Sequence, residues 1–240
     1  MNSLLKIGAV AAFAEAAIYL FGFAVMLLML MPEVANTADV SEKLSFILSN
    51  KTLYQYWMLI IYVLFGIALA FLVTALHSLL MRHQQEQAGK YVPKSPTFSG
   101  LIAVGTVFGY VWVVLVIASG MITSVGLETV APMFETKPEQ AAALWLSIET
   151  VQNGLGGGVE VVGGLWVLLI SLKAILQKQS CLLAHAIGFL VGAMGILTVF
   201  PSLSGFAAAF GLGQILWFVL IGLYLWEQSK TTVHQNLLKH

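Results

Sequence analysis

Six apolar runs, each close to or beyond twenty residues and almost free of charge, leave this chain few folds to choose from. A hydrocarbon core about 30 Å thick is crossed by about 20 helical residues. The runs at 7–31, 53–81, 98–122, 153–176, 182–200 and 206–226 are of that order, the fourth with a helical lead-in from about residue 139. A membrane β-barrel would need short segments alternating between apolar and polar residues, whereas these runs are continuous. Only 9% of the 240 residues are charged, against about 25% in soluble domains. The expectation is an all-α integral membrane protein: one domain, residues 1–240, folded as a bundle of six transmembrane helices.

All six prolines fall between these runs or at their ends, so a missing backbone N–H does little harm there. Irregular backbone inside the membrane therefore falls to glycine, densest at Gly154, Gly156, Gly157 and Gly158. That cluster reads first as tight helix packing and second as a point of unwinding that exposes carbonyls.

Lys6, Arg82, Lys90, Lys94, Lys173, Lys178, Lys230 and Lys239 fall on one side of this topology, and only Lys43, Lys51 and Lys137 on the other. Basic residues collect in cytoplasmic loops, so both termini are expected in the cytoplasm. The first run, at about 25 residues and carrying Glu15, is too long for the apolar region of a cleaved signal peptide, typically about 7–15 residues. Lone Cys181 excludes an intramolecular disulfide, and sparse basic residues give nucleic-acid binding no support. Tyr54, Tyr56, Trp57, Trp145, Tyr224 and Trp226 read as interfacial anchors.

The functional clue is polar. Glu149 and Glu160 lie eleven residues apart, close to three helical turns, so a continuous helix would put them on one face with Gln152, Asn153, Gly156, Gly163 and Gly164. An ionisable group at bilayer depth costs about 2.5–3.5 kcal/mol on insertion scales and normally faces protein or a wet cavity. Counting the helical rise from the nearest boundary residues places Glu15, Glu160 and Gln214 in overlapping middle depths, with Tyr19 and Tyr110 in a similar layer. Glu149 lies nearer the outer mouth. Gly8, Ala12, Glu15, Tyr19 and Gly22 give the first helix a matching small-residue face. The expected site is therefore a polar interior in which Glu15 and Glu160 face one another, lined by Tyr19, Tyr110 and Gln214 and entered past Glu149, Gln152 and Asn153. Facing carboxyls in low dielectric suit the handling of a proton or cation. The competing reading is structural: a buried carboxyl bridging helices contributes about 0.6 kcal/mol on average.

His77 and His185 are expected at similar depth near the cytoplasmic boundary, with Cys181 one turn from His185. Two imidazoles could hold a metal or haem iron, although no ligand-type spacing supports this and histidines at helix ends commonly meet headgroups or cap carbonyls. Haem is thus a weak alternative, and no cofactor is otherwise expected.

The strings KIGAVAAFAEAAIYLFGFAVMLLMLMP, NGLGGGVEVVGGLWVLL and GILTVFPSL followed by FGLGQILWF resemble a group of bacterial six-helix membrane proteins known as the domain of unknown function 4386 family, over nearly the whole chain. The resemblance implies a compact helical bundle in the bacterial cytoplasmic (inner) membrane and brings no activity, cofactor or catalytic residue.

The leading functional expectation is a membrane protein that binds a small molecule, proton or cation, as a transporter or channel would. The alternatives are an accessory or structural subunit with no ligand and a bis-histidine haem redox protein. The chain has no HExxH, nucleophile elbow or phosphate-loop lysine, so the sequence leans away from an enzyme. The expected partners are the lipid bilayer and a small molecule or ion; a homo-oligomer is compatible with the sequence.

Overall fold

The computed structural model describes residues 2–30, 39–88 and 96–237. Among them there is helix and no strand. The helices are α1 (Asn2–Val25), α2 (Val40–Ser49), α3 (Lys51–Met58), α4 (Phe65–Ala88), α5 (Pro96–Thr136), α6 (Pro138–Gln152), α7 (Val161–Leu176), α8 (Leu182–Leu197) and α9 (Phe206–Leu237). Wide π-helical turns extend α1 over Met26–Leu30, join α3 to α4 over Leu59–Leu64, and follow α6 over Asn153–Gly157.

Among the described residues, five spans are long and apolar enough to cross a membrane: Asn2–Met29, Lys51–Glu86, Gly100–Thr136, Pro138–Leu176 and Phe206–Lys230. α8, apolar but only 16 residues long, falls short of the roughly 20 residues that a straight crossing needs. The helical, apolar structure is that of an integral membrane protein.

Six helices close into a ring, each packed on the next: α1 on α4, α4 on α5, α5 on α7, α7 on α8, α8 on α9, and α9 back on α1. Gly8 abuts Ala75 and Leu225, while Gly211 abuts Tyr19 and Phe23, so α1 and α9 run antiparallel, with the start of α1 and the end of α9, the terminal ends of the described chain, at one end of the ring. Small residues let the backbones approach, because apolar faces gain little from associating in lipid and close packing supplies the attraction instead. Bulky side chains fill the notches: Trp112 lies on Gly163, Trp166 on Gly109, and Trp217 on Gly188. Tyr19, Phe65, Trp112, Trp166, Trp217 and Phe218 form a closed circuit across the ring, with successive ring centroids 5.3 to 6.0 Å apart. Each such pair adds about 0.5–1.5 kcal/mol beyond its area burial.

At the end of the ring away from the termini, the helices continue past the expected spans. α5 has 41 residues, about 60 Å at the helical rise, or twice a hydrocarbon core. The stretch from Thr123 to Pro138, between the expected spans and long enough for a short cap or amphipathic helix, is helix almost throughout as a continuation of α5, and Pro132 lies inside that helix. With α2, α3 and α6, the far half of α5 builds a second apolar core around Leu44, Ile47, Tyr54, Leu127, Val130 and Trp145. Asp39 caps α2 by accepting the Ser41 N–H at 2.8 Å. On the exposed side, Glu128 accepts from Lys51 at 2.6 Å and Gln55 at 2.7 Å.

Candidate functional site

The fourth apolar run is broken, and the break builds the site. α6 ends at Gln152, and Gly156 takes φ 126° and ψ 17°, outside the helical region. Side chains strain in that conformation, whereas glycine adopts it freely. Gly154 has no neighbour within 4 Å of where a Cβ would sit, so the reading of this cluster as tight packing gives way to unwinding. The Asn153 carbonyl accepts from the N–H groups of Gly158 and Val159 at 3.3 and 3.2 Å. Helix resumes at Val161.

Two anchors hold the break. On its near side, the Gln152 amide donates to the Tyr62 hydroxyl, its backbone carbonyl accepts from Ser119 at 3.4 Å, and its side chain occupies the space beside bare Gly157. Beyond it, the Glu160 N–H donates to Thr198 Oγ1 at 2.8 Å, and that hydroxyl donates to the Gly195 carbonyl at 2.7 Å. The end of α8 thereby replaces the helical partner that Glu160 lacks.

A cavity of about 320 Å³ lies beneath the break at the end of the ring away from the termini. Among the described lining residues, Tyr19, Phe23, Trp57, Tyr62, Phe65 and Trp112 supply aromatic wall, Gly156 and Gly157 bare backbone, Ala207, Ala208 and Gly211 the close approach of α9, and Glu160 the one acidic side chain. No Lys, Arg or His is among the described lining residues. No described side chain or backbone group hydrogen-bonds the Glu160 carboxylate. Trp57 donates its indole N–H to the Gly22 carbonyl at 3.3 Å, which fixes its ring. Tyr19, Phe65 and Trp112 also belong to the aromatic circuit, which thus floors the cavity.

The residues singled out from sequence divide sharply. Glu160 and Tyr19 line the cavity, and Gln152 supports it from behind. Glu15 is fully buried with neither carboxyl oxygen partnered, one turn from Tyr19 toward the terminal end and outside the cavity lining. Tyr19 lies within electrostatic reach of both Glu15 and Glu160. Gln214 is likewise fully buried with both amide atoms unpartnered, and it too stands outside the lining. Tyr110 is 42% exposed and pairs with the Thr74 hydroxyl at 2.8 Å, so it faces outward. Glu149 is half-buried on α6 and Asn153 is exposed; the break separates both from the face that carries Glu160.

His77 is paired with Thr106 through Nδ1 at 2.8 Å, whereas His185 packs edge-on against Tyr224 with centroids 5.7 Å apart. Their helices, α4 and α8, share no substantial contact. Cys181 is a partly exposed free thiol. Among the described residues, no three His, Cys, Asp or Glu side chains gather as a metal site.

Apart from Tyr19, sequence reading missed the aromatic wall, and it took Trp57, which lines the cavity, for an interfacial anchor only. The available signal was depth: Tyr62, Phe65 and Trp112 lie well inside their runs, where aromatic anchors are not expected.

No family model, curated protein or solved structure matches this chain.

Proposed function

We propose that this chain is a bacterial inner-membrane protein, similar to the domain of unknown function 4386 family, whose six ring helices all cross the bilayer with both termini in the cytoplasm. In this reading the cavity beneath the helix break binds a small molecule and opens toward the outer face. The observation that carries it is a space of about 320 Å³ holding a carboxylate that no described protein group satisfies. Ligand pockets begin at about this size and combine mostly apolar walls with a few placed polar groups. A span interrupted at the site is a common feature of secondary transporters, where unwound backbone is tolerated because it lines a cavity. This favours a transporter over an accessory subunit.

Thiol accessibility tests the reading. In a Cys181→Ala background, Ala207→Cys at the cavity wall is expected to react with a small water-soluble methanethiosulfonate added from the periplasmic side. Inside-out vesicles under an impermeant reagent should protect it. A thiol that is inert from both sides would mean a dry space and overturn the proposal.

A further inference from the structure

We propose that the ligand of this cavity is a small organic cation carrying an ammonium group. The inference rests on the cavity being a binding site and names the chemistry that would occupy it.

The wall is chosen for charge as well as shape. Aromatic faces are electron-rich, and six aromatic residues line a space in which Glu160 is the one acidic side chain among the described lining residues. Such rings attract a cation by cation–π interaction, most strongly when it is desolvated, and aromatic cages of this sort recognise quaternary ammonium. An anion would meet the Glu160 carboxylate with no Lys, Arg or His among the described lining residues to offset it. A neutral molecule would gain nothing from the charge that Glu160 can carry. A bare metal ion is disfavoured for a different reason: hard cations take six or more oxygens, and the side chains here are mostly carbon. A quaternary ammonium in particular is weakly hydrated and spreads its charge over its methyl groups, which suits both the rings and the Glu160 side chain.

The cage is also assembled in advance. The indole of Trp57 is tied to Gly22 and the hydroxyl of Tyr62 accepts from Gln152, so two walls are held before a ligand arrives. Groups already ordered lose little freedom on binding. An ammonium could come from a free amine or from an aminolipid headgroup, which share this chemistry.

The test uses the full chain in maltoside micelles free of aminolipid, with choline as the probe and 3,3-dimethylbutan-1-ol, its uncharged analogue of the same shape, as the control. Binding is read by tryptophan fluorescence and calorimetry. Choline is expected to saturate a single site and to bind at least about tenfold more tightly than the alcohol. Glu160→Gln and Trp57→Leu should each weaken choline by about tenfold or more, with Trp57→Phe largely retained. The Trp57 pair keeps the test decisive if Glu160→Gln does not fold. Saturable binding of phosphatidylethanolamine without choline would support the ammonium class with a lipid source. Equal binding of choline and the alcohol would overturn the cation assignment and leave a ligand site standing. Failure of choline, alcohol and aminolipid alike would overturn this inference, and the reactivity of Ala207→Cys would then decide the broader proposal independently.

Discussion

The backbone of Glu160 hangs from the side chain of Thr198: its N–H donates to Oγ1 at 2.8 Å while the same hydroxyl donates to the Gly195 carbonyl at 2.7 Å. One hydroxyl thus satisfies two backbone groups, the N–H where α7 begins and a carbonyl near the end of α8. Thr198 is buried, so water has little access to take its place. Thr198→Val removes donor and acceptor with little change in shape and should destabilise the fold by about 1–3 kcal/mol. Thr198→Ser should restore most of the loss. Thermal unfolding of purified protein measures the first effect, and ligand affinity at the cavity should follow the same order, because the hydroxyl positions the residue that carries the carboxylate.

Two glycines two residues apart should respond oppositely to the same change. Gly156 sits at φ 126° with its nearest prospective contact, Val116, at 3.9 Å, so space is available and only backbone conformation resists a side chain. Gly156→Ala is expected to cost about 1–3 kcal/mol. Gly154 lies in the wide helical turn with open space around it, and Gly154→Ala should be neutral or stabilising by up to about 1 kcal/mol, because alanine restricts the unfolded chain. Comparable losses from both would mean that the break does not depend on its positive φ.

How far the site was legible follows from what hydropathy and helical period can carry. Glu160 stood out because charge is costly at its depth, and it does line the cavity. Glu15 stood out for the same reason and is indeed buried, but depth alone does not say which neighbour a side chain meets. Tyr110 shows that limit: at mid-run, its period places it on a face, and only the packing of α4 against α5 turns that face outward beside Thr74. The shared face of Glu149 and Glu160 assumed an unbroken helix, and Gly156 breaks it. That the far half of α5 continues the span itself was not legible, because hydropathy marks where lipid contact ends, whereas a helix continues for as long as it has something to pack on. There α2, α3 and α6 supply that partner.

The crossing of α7 on α8 offers a sharper packing test. A Cβ on Gly164 would stand 2.7 Å from the Gly192 carbonyl oxygen and 2.8 Å from the Ile196 nitrogen, and backbone cannot rotate aside as a side chain can. Gly164→Ala should therefore spread the two helices and cost about 3 kcal/mol, at the upper end of the usual penalty for overpacking. It should also loosen the Thr198 bridge at the same crossing. Gly100→Ala, with nothing within 4 Å, is the matched control and should leave stability within about 1 kcal/mol of the parent or above it. Unfolding temperature and monodispersity in detergent separate the two.

Glu15 yields the prediction with the least intuitive sign. Its carboxyl is fully buried and both oxygens lack a partner among the described residues. A polar group buried without a hydrogen bond is a cost in either protonation state. Interhelical glue would need a partner that the described residues do not supply, so Glu15→Leu should raise the unfolding temperature by a few degrees, for a gain of about 1–3 kcal/mol. A fall in unfolding temperature would instead show that the carboxyl does bridge helices. Function provides the second readout. Retention of so costly a group is expected where it serves activity at the expense of stability, and Glu15 lies one turn from Tyr19, the residue within electrostatic reach of both carboxyls. The stabilised variant is therefore expected to bind choline less tightly or to transport it more slowly. Unchanged binding and transport in a more stable protein would remove Glu15 from the mechanism and leave Glu160 as the sole carboxylate at work.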